Sequence, residues 1–87
     1  MSIEETLVER NSTHGNFERN ALIAQQIKQI FQAYPSWYDM DNIQREALDL
    51  ICTKLSRILS TDGRHIDDWH DIAGYATLVE KWLMGLA

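Results

Sequence analysis

Cysteine, proline, glycine and basic residues are all scarce in this chain. Among 87 residues there are one Cys, one Pro and four Gly. The single thiol, Cys52, excludes an internal disulfide and any cysteine-based metal motif, and it reads as a small core residue in a reducing compartment. Lys and Arg number 8 against 13 Asp and Glu, for a net charge of −5. Neutralising a nucleic-acid backbone takes a basic patch, and the charge pattern offers none, so direct nucleic-acid binding is not expected. No apolar run approaches the roughly 20 residues of a membrane span. The opening MSIEETLVER is too polar and acidic for a signal or transit segment. Together these absences lead to the expectation of a cytoplasmic protein that makes no membrane contact.

What is present is a single domain, residues 1–87, with no repeat and no low-complexity segment. A chain this short buries only about 60–65% of its unfolded surface. Three Trp, three Tyr and two Phe offer large apolar area for an interface, so a homo-oligomer is expected. The sparse punctuation divides the chain into four helical pieces. Ser2 caps a short helix reaching about Arg10, with Glu4 and Glu5 in its first turn. NSTHGN, residues 11–16, breaks it, with Gly15 supplying a positive φ. A second helix runs from about Phe17 to Ala33 and ends ahead of Pro35. Asp41 caps a third that reaches about Leu59. Residues 60–66 form a loop, and a fourth helix fills most of the remainder. No stretch alternates with period two, so the fold class is all-α, a compact bundle of about four helices, one short and three longer.

At 100° per residue the third helix has a continuous apolar arc, Ala47, Leu48, Ile51, Cys52, Leu55, Ile58 and Leu59, opposite a polar line of Glu46, Asp49, Thr53 and Arg57. The fourth helix, DDWHDIAGYATLVEKWL, is less regular. Its apolar arc contains Trp69, Ile72, Tyr75, Ala76 and Val79, and two carboxylates, Asp68 and Asp71, fall on the same side. Unpaired, they would cost several kcal/mol there. Two readings stay open. In one, Asp68 is the N-cap of the helix and Asp71 sits three residues on, as in a capping box, with Asp67 an equal candidate for the cap. In the other, Glu46 with Asp49 (EALD) and Asp68 with Asp71 (DWHD) are two i,i+3 carboxylate pairs on adjacent antiparallel helices, a donor set suited to Mg²⁺ or Mn²⁺. Lys54 and Arg57 follow the first pair at positions where cations could meet phosphate oxygens. Metal, carboxylates and cations together fit a polyphosphate site. Asn20, inside the apolar face of the second helix, needs a hydrogen-bond partner, which could be a base edge or another helix end. His14, in the loop, packs there or reaches the ligand.

HGNFERN, QREALDLICTKLSRIL and DDWHDIAGYATLVEKWL resemble a family of small phage and prophage proteins of unassigned function. The likeness runs from about Leu7 to Leu83 and includes Tyr75 in DIAGYA as a residue placed to meet a substrate. More distantly, the arrangement is similar to the all-α nucleoside triphosphate pyrophosphohydrolases, the MazG and dimeric dUTPase group. That resemblance implies Mg²⁺ held by Glu46, Asp49, Asp68 and Asp71, with one of them orienting the attacking water. It also implies hydrolysis of an NTP or dNTP to the monophosphate and pyrophosphate. Asp49 and Asp68 stand where the group has Glu, one methylene longer. The alternative of another class is a non-catalytic phage accessory protein that binds a host protein or sequesters a nucleotide signal.

Overall fold

The computed structural model describes residues 2–86 and contains five helices: α1 (Ile3–His14), α2 (Phe17–Gln32), α3 (Pro35–Asp39), α4 (Asn42–Ser60) and α5 (Ile66–Leu83). Among the described residues there is no strand, and no helix is long and apolar enough to cross a membrane. The all-α bundle expected from the sequence is what forms. α4 is its centre, with α2 packed on one side and α5 on the other, while α1 lies lightly across α4.

Three element limits differ from the sequence expectation, each for a local reason. α1 continues past Arg10 to His14 because Ser12 and Thr13 donate their hydroxyl protons back to the carbonyls of Glu9 (2.6 Å) and Arg10 (3.3 Å). That back-bonding lets the NST segment stay helical. The chain turns only at Gly15, whose φ is +78°. YPSWYD, expected as a plain connection, forms the short α3, with Pro35 in its first turn, where proline's fixed φ is favourable. α3 delivers Trp37 to the interior, stacked on Phe31 with ring centroids 5.1 Å apart. Finally, α5 starts at Ile66 with His65 as its N-cap, so neither Asp67 nor Asp68 caps it. Asp41 does cap α4, and the Gln44 side chain returns to accept from the Asp41 backbone N–H at 2.9 Å.

The apolar interior is small. Among the described residues only Trp37, Ala47 and Cys52 are buried hydrophobic ones, beside two buried polar ones, Ser56 and Asp68. Cys52 lies where α4 meets α2 and donates its thiol proton to the Ala24 carbonyl at 3.3 Å. Burial raises its pKa above the ordinary thiol value, which keeps it protonated and unreactive.

Candidate functional site

The site is built where the end of α1, the start of α2, the last turns of α4 and the start of α5 come together. Gly15 makes this approach geometrically feasible. It is buried, and a Cβ on it would lie 2.7 Å from Ser60 Cβ and 3.2 Å from the Ser60 carbonyl oxygen. With that contact, α1 and α2 enter against the C-terminal turn of α4. Asn16 then caps α2, accepting from the Arg19 N–H at 3.0 Å. One turn on, Asn20 donates from Nδ2 to the His14 carbonyl at 2.6 Å.

Around the His14–Gly15 step several polar atoms are buried without partners. Asn20 Oδ1, Ser60 Oγ and Asp68 Oδ2 are three such side-chain atoms among the described residues. Buried polar groups are ordinarily satisfied by protein or by ordered water, so these atoms mark places where a water or a ligand would be held. Asp68 is the most telling. It is 2% exposed, on the third residue of α5, yet its Oδ2 accepts nothing.

His14 closes α1 with its ring 6.2 Å from that of His65. The Thr13 hydroxyl donates to Arg10, and His14 Nδ1 lies 2.7 Å from Thr13 Oγ1. His14 Nδ1 also lies 3.3 Å from the Arg10 carbonyl, which can only accept, so these contacts suit the tautomer with its proton on Nδ1 and a free lone pair on Nε2. Burial, then repulsion from Arg57, lowers the His14 pKa, while Asp68 opposes the shift. The shift favours the neutral ring.

The register between α4 and α5 decides which charges meet. The two helices are antiparallel across a turn of residues 61–65, so residues equally far from the turn lie level. Lys54 is level with Asp71, and the two form an ion pair at 2.9 Å, with the Lys54 side chain only 15% exposed. Hydrogen bonding from Lys54 is the main cause holding the Asp71 pKa below its usual value. One turn toward the loop, Arg57 is level with Asp68, and among the described residues no carboxylate pairs with Arg57. Thus Lys54-x-x-Arg57 faces Asp68-x-x-Asp71, with one rung closed and one open.

Glu46 and Asp49 lie elsewhere. They are eight residues earlier on α4 than Lys54 and Arg57, about 12 Å along the axis. There they line a shallow depression with Trp37, Asn42 and Arg45. Glu46 also borders an apolar groove with Tyr75, Leu78 and Val79, which places Tyr75 away from Arg57 and His14. Arg45 donates to Asn42 (3.4 Å) and not to Asp49. Among the described residues no three His, Cys, Asp or Glu side chains gather at one point. Of the residues singled out from the sequence, the fold brings together His14, Asn20, Lys54, Arg57, Asp68 and Asp71. It holds Glu46, Asp49 and Tyr75 apart from them.

A cavity of about 530 Å³ opens between α1 and α4 beside this cluster. Its polar lining includes Arg10, Asn11, His14, Asn20, Ser56 and Arg57, and Ile3, Leu7 and Phe17 form an apolar wall. Arg10 escaped the sequence reading, although its position one helical turn before His14 on a shared face was the available signal. Ser56 escaped it too. Its Oγ donates to the Thr53 carbonyl at 2.7 Å, so it presents little to a ligand.

Residues 3–83 match the family model described as "Domain of unknown function (DUF6378)". No curated protein and no solved structure matches the chain.

Proposed function

The chain thus belongs to the DUF6378 family, and we propose that its α1–α4 cavity binds the phosphates of a nucleotide polyphosphate that enters with Mg²⁺. One observation carries this reading. In a chain of net charge −5, the charged side chains that line the cavity among the described residues are two arginines, Arg10 and Arg57, with His14 beside them. Guanidinium groups match phosphate oxygens in a two-pronged geometry. The Ile3, Leu7 and Phe17 wall suits the flat apolar face of a base.

Mg²⁺ ordinarily uses one or two carboxylates plus substrate phosphates, without a cage of protein ligands. The unpartnered Oδ2 of Asp68 would supply one such carboxylate from outside the cavity lining, which contains neither Asp68 nor Asp71; Asp71, one turn away, is paired with Lys54. Glu46 and Asp49 remain candidates in their own depression. Held at Asp68, the metal would screen phosphate charge. The resemblance to MazG-type pyrophosphohydrolases supplies the reaction class. Water attacks the α-phosphorus, the bond to the bridging oxygen of the β-phosphate breaks, and pyrophosphate leaves. The free lone pair of His14 Nε2 can take the proton that water loses.

The test is titration calorimetry with a panel of NTPs and dNTPs in Mg²⁺, on wild type and Arg57→Gln. Losing a charge-assisted contact worth about 1.5–3 kcal/mol weakens binding by roughly 10- to 100-fold. Equal affinities for both proteins would remove the cavity from consideration. Pyrophosphate release in the same samples decides whether turnover accompanies binding.

A further inference from the structure

The apolar arc of α4 is buried in the wrong order for a chain that functions alone. At 100° per residue its middle is Ile51 and Leu55, with Ala47 on one flank and Cys52 on the other. In a self-contained bundle the middle would be the most buried part. Here the flanks are buried, and Ile51 and Leu55 are only half-buried. α5 holds one flank, since Ala47 shares a groove with Tyr75 and Val79. α2 holds the other, through the Cys52–Ala24 bond. α1 lies on the opposite side, over Thr53 and Arg57. Among the described residues no element covers the middle.

The helices on either side extend the same face. Ile30 of α2 shares a depression with Leu48, which puts the Ile23–Ile30 edge of α2 on the Leu55 side. Leu78 of α5 shares its groove with Glu46 and Leu50, on the far side. The opposite edge of α5, with Ala76 and Leu83, therefore flanks Ile51, and both residues are exposed.

We propose that this face, centred on Ile51 and Leu55, is the interface between two copies of the chain. The amount of surface identifies the occupant. The protein exposes 6433 Å², whereas a folded monomer of 10.1 kDa is expected to expose roughly 5,300 Å². Its radius of gyration is 14.8 Å against about 12 Å for a chain of this length. The surplus, roughly 1,100 Å², matches the approximately 800 Å² or more that each partner contributes to a stable interface. α1 adds to that surplus, so the area alone does not choose the face; the inverted burial along α4 does. Two copies related by a twofold axis would lay one three-helix layer on the other, a closed arrangement in which each face covers its equal. The proposal stands independently of any nucleotide.

Sedimentation equilibrium of the full chain over a wide concentration range tests it, with Ala76→Arg and Leu55→Lys as variants. Wild type is expected at twice 10.1 kDa, and both variants at the single-chain mass or with a thermal midpoint that falls on dilution. Ala76 is exposed in the single chain, so its replacement should be harmless to a monomer. Unfolding of Ala76→Arg would therefore also support the interface, even if Leu55→Lys fails to fold for other reasons. Wild type at the single-chain mass throughout, or variants that keep the wild-type mass and midpoint, would overturn it.

Discussion

Asp68→Asn is expected to stabilise the protein and to weaken its ligand binding at the same time. The carboxylate is 2% exposed, and its Oδ2 has no partner. An unsatisfied buried polar atom costs about 1–3 kcal/mol, more when charged. Asparagine keeps the shape and removes the charge, while giving up a helix-dipole contribution of about 0.3–1 kcal/mol at the start of α5. The net gain is about 1–2 kcal/mol. For a domain of this size that raises the thermal midpoint by roughly 5–10 °C. A residue whose only role was to begin a helix would behave in the opposite way, because its replacement would remove a favourable interaction and add none. Calorimetric melting of the variant, with a triphosphate titration alongside, reads both effects. A lower midpoint with unchanged affinity would return Asp68 to a purely structural role.

The second large effect is expected at Gly15. Its φ of +78° and ψ of −178° lie in a region that essentially only glycine occupies, at a cost of about 1–3 kcal/mol for any other residue. A Cβ there would also meet Ser60 Cβ at 2.7 Å and the Ser60 carbonyl at 3.2 Å. The obstruction includes backbone of the last turn of α4, which cannot rotate away. Gly15→Ala should therefore lower stability by about 3 kcal/mol, combining strain with displacement of α1. Gly74 supplies the contrast. It lies inside α5 with nothing within 4 Å of its would-be Cβ, so Gly74→Ala should raise stability by about 0.5–1 kcal/mol. Denaturant melts of the two variants check both signs. If the two alanines had the same effect, the close approach at Gly15 would not be what holds α1 in place.

The two residues also show how far the sequence alone reaches. Gly15 as a turn with positive φ was legible, because glycine adopts that conformation at no steric cost, whereas Asn11, His14 and Asn16 tolerate it less well. Its contact with Ser60 was not, since a close approach of two segments leaves no trace in local pattern. The Asp41 cap, the stop before Pro35 and the apolar arcs were legible from residue type and period. α1's extension was not, because Ser12 and Thr13 can break a helix or bond back into it, and only the packed structure decides. That Asp68 lies on the inward side of α5 followed from 100° geometry, whereas Asp71, expected beside it, is 39% exposed at the margin of the α4–α5 contact. Their partners did not follow from similarity between EALD and DWHD. The turn of residues 61–65 fixes the register, and counting outward from it sets Lys54 against Asp71 and Arg57 against Asp68. The two carboxylate pairs are about 12 Å out of step along the helices, and the signal for the true partners lies in the turn length.

The polyphosphate reading concentrates on one ring. His14 lines the cavity with Arg10 and Arg57, and burial together with Arg57 holds its pKa below the ordinary histidine value of 6.5. A bound polyphosphate would place negative charge beside it and neutralise the arginine, which favours the protonated ring. The most direct measurement is an NMR pH titration of the His14 imidazole, without and with inorganic tripolyphosphate plus Mg²⁺, and then with each nucleotide triphosphate. The account predicts a low pKa in the free protein that rises on saturation, with the rise lost in Arg57→Gln. A His14 titration curve that no polyphosphate moves would contradict it.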